Sequence, residues 1–157
     1  MEIYTVSFFG HRSIPDFHAV EDQAEILIRS LLLKEEYVEF LVGRDGDFDQ
    51  IISSTIRRLK RSVRDDNSTL IWILPYLTAE LRNNMDSFQE YYDEIEICCD
   101  AANSHPKGAF QIRNRQMVDR SNLSVFYVDH MNGGAYQTMC YAQRQKIDII
   151  NFASKTD

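Results

Sequence analysis

Six short runs of β-branched and aromatic residues alternate along this chain with segments whose apolar residues recur every three or four positions, and that alternation restricts the fold more than any other feature. The strand-like runs are residues 3–9, 37–42, 69–74, 94–98, 123–128 and 146–152. Between the first two, Phe17, Val20, Ala24, Leu27, Ile28 and Leu31 make one apolar helix face. Between the second and third, Phe48, Ile52, Ile56, Leu59 and Val63 make another. The third run is almost continuously apolar, as in a strand covered on both faces. Strands separated by helices imply an α/β domain of three layers: a mainly parallel sheet of about six strands, flanked by helices and joined by right-handed crossovers.

Local signals place several ends. Ser13-Ile14-Pro15-Asp16 has the capping-box pattern, with Ser13 as cap, so the first helix is expected to begin there. Residues 76–92 have weak periodicity and are expected to be irregular, with a helical turn at 79–83. His105-Pro106-Lys107-Gly108 is expected to break the chain before a helix over 109–120. Arg57, Arg58, Lys60, Arg61 and Arg64 fall toward the end of the second helix, where they suit the helix dipole as a solvated cluster. Of Asp45, Asp47 and Asp49, one is expected to cap that helix and the others to be solvated. His130 is expected to be a loop residue.

With 157 residues, 44% of them hydrophobic and 26% charged, residues 1–157 suit a single globular domain. The start lacks a secretion signal and no apolar run approaches membrane-spanning length, so a cytoplasmic protein without membrane contact is expected. A net charge of −7 argues against an extended nucleic-acid face and makes nucleic acid a disfavoured partner. Cys98, Cys99 and Cys140 form no Cys-x-x-Cys pair, and the four histidines are scattered. Buried free thiols, no metal and no required cofactor are expected.

In parallel sheets ligands bind beyond the carboxyl ends of the strands. Three loops fall there: residues 10–13, 43–49 and 129–134. Gly133-Gly134 follows a buried strand and precedes a helix, so it is a candidate phosphate cradle: the backbone can approach closely and free N–H groups meet the positive end of the dipole.

In order along the chain, four motifs resemble those of one superfamily. They are Phe9-Gly10-His11-Arg12, then Gly43-Arg44-Asp45-Gly46-Asp47-Phe48-Asp49, then Phe110-Gln111-Ile112-Arg113-Asn114-Arg115, and finally Gly134, Thr138 and Ala142 in a Gly-x-x-x-Thr-x-x-x-Ala pattern. Together they resemble the SLOG superfamily, the Rossmann-like group that includes DprA, the LOG hydrolases and YpsA-like proteins. The short build looks most like the YpsA-like branch.

That resemblance implies a nucleotide-derived ligand, such as an ADP-ribose derivative, held over the strand ends by a sensor or sequestering protein. Gly133 and Gly134 would take a phosphate and Thr138 would add a hydroxyl or pack. Asp129 and Asn132 would hold a ribose. Gly10, His11 and Arg12 would line the opposite wall with Gly43, Arg44 and Asp45, and Arg12 would meet either phosphate or a neighbouring acid such as Asp45. Arg113 and Arg115 lie about 200° apart around a helix, so one is expected to bind ligand, with Arg113 favoured, while the other, or Asn114, ties the helix to the sheet.

Two alternatives follow from the same resemblance. LOG enzymes carry Pro-Gly-Gly-x-Gly-Thr-x-x-Glu in the glycine turn, and this chain lacks that glutamate. A phosphoribohydrolase would need Asp45, Asp47 or Asp129 as a substitute acid. DprA-like binding of single-stranded DNA is the other alternative. Related folds often pair, so a homodimer or higher homo-oligomer is expected.

Overall fold

In the computed structural model, which describes residues 1–153, the six runs are strands of one sheet. They are β1 (Ile3–Gly10), β2 (Tyr37–Val42), β3 (Ser68–Leu74), β4 (Glu94–Ile97), β5 (Leu123–Tyr127) and β6 (Asp148–Asn151). The helices are α1 (Phe17–Lys34), α2 (Asp47–Ser62), α3 (Ala79–Asn83), α4 (Met85–Tyr91), α5 (Cys99–Ala102), α6 (Pro106–Asp119) and α7 (Gly134–Gln145). The strand order is β4-β3-β2-β1-β5-β6, with every neighbouring pair parallel. This is a doubly wound, Rossmann-like α/β fold.

The chain moves outward from β1 through β2 and β3 to β4, then returns to the other side of β1 as β5. The switch point therefore lies between β1 and β5, and opens a crevice at their carboxyl ends. Alternation along β1 supplies both layers. Val6 and Phe8 join the cluster under α1, α2 and α4, whereas Phe9 stacks on Phe126 with the residues under α6 and α7. Gly10, at the strand end, leaves room for the ring of Phe48: a Cβ there would lie 2.3 Å from the ring.

Four local expectations are corrected. First, α1 begins three residues later than the capping-box pattern implies, because Asp16 is its cap and accepts from the Ala19 amide at 3.1 Å. Residues 12–14 are tied to α2 instead of being wound. The Asp47 amide donates to the Arg12 carbonyl at 2.8 Å, the Ile14 amide reaches Asp47 Oδ2 at 3.4 Å, and Ile14 is buried.

Second, the segment after β3 contains α4 as well as the foreseen turn. Phe88 and Tyr92 pack on Trp72, with ring centroids 5.0 and 5.1 Å apart. Those tertiary contacts supply what weak periodicity could not. Third, His105-Pro106 starts α6 rather than breaking the chain: Pro106 takes the first helical position and His105 Nδ1 accepts from the Lys107 amide at 3.1 Å. Fourth, all three thiols are free, but only Cys98 is buried and Cys99 is exposed. Among the described residues no helix is long and apolar enough to cross a membrane.

Candidate functional site

The three loops at the carboxyl ends of β1, β2 and β5 meet α6 around a cavity of about 410 Å³. Of the residues singled out from the sequence, Gly10, His11, Arg12, Gly43, Asp45, Arg113, Asn114, Gly133 and Gly134 line it. Arg44, Asp129, Asn132 and Thr138 do not.

The glycine turn forms one wall. Gly133 has φ +91° and ψ 173°, a conformation open in practice to glycine alone, and it caps α7. The first backbone bond of the helix runs from the Gln137 amide to the Gly133 carbonyl at 3.1 Å. The amides of Gly134, Ala135 and Tyr136 therefore have no acceptor within the helix, and they sit at the positive end of its dipole. Arg12, on the exposed part of the β1–α1 loop, has no acid within ion-pair distance among the described residues. Its expected rival partner, Asp45, is engaged elsewhere.

Asp45 Oδ2 pairs with Arg113 Nη2 at 2.7 Å. Arg113 is only 3% exposed, and two more of its N–H groups are held, Nη1 by the Ile73 carbonyl at 3.1 Å and Nε by Asn114 Oδ1 at 3.0 Å. Asn114 Nδ2 then donates to Thr138 Oγ1 at 3.0 Å, and Thr138 Oγ1 donates to the Gly134 carbonyl at 2.9 Å. A hydrogen-bonded chain thus runs from the β2 loop through α6 to the glycine turn.

Arg44 departs from its expected place, and Thr138 takes the packing role of the two expected for it. Arg113 lines the cavity, and protein partners hold three of its five N–H groups, one on each guanidinium nitrogen, which fixes the side chain in place. Thr138 is fully buried with its hydroxyl engaged in that chain. Arg44 turns outward to α3 and α4, pairing with Glu80 at 2.9 Å and lying over the Phe88 ring at 4.9 Å. Arg115 stacks on Tyr141 at 4.9 Å, away from the cavity.

The aspartates also differ from expectation, because none caps α2. Its cap is Gly46, which makes no side-chain capping bond. Asp49 is buried in the cavity floor, where its Oδ2 accepts from the Asp45 amide at 2.8 Å. Burial, with the Asp45 carboxylate nearby, raises its pKa to about 7; the Asp45 amide and Arg113 oppose the rise. Gly43 makes the arrangement possible, since a Cβ there would lie 2.9 Å from Asp45 Oδ2 and 3.2 Å from Asp49 Oδ2.

At the cavity mouth, His11 and His130 stack with centroids 3.6 Å apart and planes 12° from parallel. His11 Nε2 accepts from the Asp129 amide at 3.1 Å, and His130 Nδ1 lies 2.6 Å from Asp129 Oδ1. Burial, then neighbouring His130, lowers the His11 pKa, and Asp129 opposes this. Asp129 is thus occupied with the histidines and Asn132 is exposed on the loop.

Sequence reasoning missed Asp49, Gln111 and His130 as cavity residues. Gln111 Nε2 donates to the Gly134 carbonyl at 3.2 Å. For Asp49 the signal was its place one helical turn after Asp45, behind a glycine. For Gln111 and His130 the sequence carried none.

No family model matches the chain, and no curated protein matches it in sequence. Solved structures do match in fold. DNA processing protein A (DprA) from Streptococcus pneumoniae aligns with a TM-score of 0.66 and 15% identity, over 94% of this chain and 49% of that one. DNA processing protein A from Helicobacter pylori, described for its single-stranded DNA binding mode, aligns with a TM-score of 0.60 and 17% identity, over 93% of this chain and 63% of that one. The chain thus spans about half to two-thirds of these proteins, and the likeness is one of fold.

Proposed function

We propose that this chain binds a nucleotide-type ligand in the switch-point cleft, phosphate first. The observation that carries the reading is the pairing of two anion-binding features on one cavity of about 410 Å³: the amides at the start of α7 that have no acceptor within the helix, and Arg12, exposed and with no acidic partner among the described residues. The volume suits a mononucleotide or part of an ADP-ribose. The SLOG resemblance gains support from the DprA-like fold, and it points to the same ligand class.

Calorimetry of the full chain against inorganic phosphate, AMP, ADP, ADP-ribose and NAD tests this. Micromolar binding of at least one nucleotide is expected, with inorganic phosphate weaker. Absence of heat for all of them at high micromolar concentration overturns the reading.

A second reading is that the nucleotide belongs to a single strand of DNA. The fold neighbour that binds such DNA favours it and removes the support for treating nucleic acid as a disfavoured partner. A net charge of −7 weighs against an extended face, not against a cleft that holds one nucleotide of a strand. Fluorescence anisotropy of a labelled oligothymidylate separates the two. Binding that falls steeply with salt and is displaced by AMP supports the strand, whereas tight AMP binding without oligonucleotide binding supports the free nucleotide.

The hydrolase alternative rests on a different acid from those foreseen. Asp45 is neutralised by Arg113, Asp47 holds the Ile14 amide and Asp129 serves the histidines. Asp49 is the buried carboxyl on the cavity with a pKa suited to proton transfer near neutrality. Chromatography of AMP after incubation tests it, since release of adenine supports hydrolysis and unchanged AMP excludes it for that compound.

A further inference from the structure

We propose that His11, Asp129 and His130 form a site for one first-row divalent transition-metal ion, of the Zn²⁺ type, at the mouth of the cleft. The expectation of no metal came from spacing along the chain, where His11 stands far from the other two. The pairing of β1 with β5 brings their loops together at the switch point. One ligand atom from each residue, three in all, lies within 4.8 Å of the other two.

The distances suit such an ion. Bonds of about 2.0–2.2 Å in tetrahedral geometry place ligand atoms roughly 3.3–3.5 Å apart. His11 Nε2 and Asp129 Oδ1 are already 3.3 Å apart. His130 Nδ1 lies 2.6 Å from the same oxygen, so it must retreat by about 1 Å, and its exposed ring must also turn out of the stack with His11, because imidazole lone pairs lie in the ring planes and parallel rings 3.6 Å apart do not converge on one ion.

The donor set selects the class of ion. Two imidazoles with one carboxylate favour zinc, cobalt, nickel or iron over magnesium and calcium, which take oxygen ligands. Because His11 Nε2 accepts the Asp129 amide, that nitrogen presents a lone pair and the ring carries its proton on Nδ1. An entering ion takes this lone pair and frees the Asp129 amide. His130, which donates from Nδ1 to Asp129, shifts that proton to Nε2 as the ion takes Nδ1. Both rings line the cavity, so the remaining coordination positions are open to water or to an anion held there.

The test does not depend on nucleotide binding. The full chain, freed of metal by a chelator, is titrated with Co²⁺ by visible absorption and with Zn²⁺ by calorimetry. One equivalent is expected to bind with micromolar affinity, together with a shift of the Asp129 amide resonance. The Asp129 and His130 side chains are 40% and 51% exposed, so His130→Ala and Asp129→Asn leave the core intact; each is expected to weaken binding at least tenfold. Cys99→Ser and Cys140→Ser are expected to leave it unchanged. No binding at millimolar metal, binding undiminished in both site variants, or binding lost with Cys99→Ser overturns the proposal.

Discussion

Asn114 Nδ2 donates to Thr138 Oγ1 at 3.0 Å, joining α6 to α7 one turn past its start, inside the protein. Both residues are buried, and the bond lies midway along the chain from Asp45 to the Gly134 carbonyl. Replacing Thr138 by Val keeps the shape but leaves the Asn114 amide without its acceptor. The expected cost is about 1–3 kcal/mol, read as a lower midpoint in urea, while Thr138→Ser stays within about 1 kcal/mol of the native chain. Equal stability of Thr138→Val and wild type would show that the chain of bonds is not coupled.

Arg12→Ala removes the exposed cation at the cavity without touching the core. Nucleotide affinity is expected to fall at least tenfold by calorimetry, with the thermal midpoint unchanged. If affinity survives, the glycine-turn amides act alone.

Asp49 ties stability to pH. Its folded pKa, raised to about 7, exceeds the unfolded value of 3.8, so the native state holds the proton more tightly. This contribution is complete below about pH 4 and is lost as pH rises to about 7, where ionisation places a buried charge beside Asp45. Each tenfold gain in proton affinity corresponds to about 1.4 kcal/mol, so the whole contribution is on the order of a few kcal/mol. Asp49→Asn is expected to flatten urea-denaturation free energies between pH 4 and 7 and to be the more stable protein at pH 8. A native profile that rises across that range would contradict the assignment.

Two glycines make opposite predictions although both have open space around them. Gly133→Ala forces a side chain onto φ +91° and is expected to cost about 1–3 kcal/mol. Gly108→Ala, inside α6, is expected to gain about 0.5–1 kcal/mol through helix propensity. Comparing the two midpoints isolates backbone conformation from packing.

The sheet was legible because β1, β2, β3 and β5 are compact β-branched and aromatic runs, β4 alternates between acid and isoleucine, and α1 and α2 each have a clear apolar face. Residues 69–74, read as covered on both faces, send Leu70, Trp72 and Leu74 into one buried layer and Ile71 and Ile73 into the other. What escaped depended on contacts distant in sequence. The helix α4 exists because Phe88 and Tyr92 find Trp72, and no local periodicity announces that. At the cleft, the loops and the glycine turn were readable from chemistry and order. Side-chain direction was not: Arg113 and Arg44 are both arginines next to promising motifs, yet one is consumed by Asp45, Asn114 and Ile73 and the other turns to Glu80. The buried Asp49 escaped because an aspartate near a helix start reads first as a cap, and here Gly46 holds that position.

The placement of β1 beside β5 also sets when the cleft exists during synthesis. Ile3–Gly10 emerges early and can pair with Tyr37–Val42, but its other edge waits for Leu123–Tyr127. A nascent chain that has reached only β4 has one wall of the cleft and a β1 with one edge still open. A nucleotide bound as proposed would therefore find its cradle only after β5 and the glycine turn are in place, too late to guide the pairing of β1 with β2.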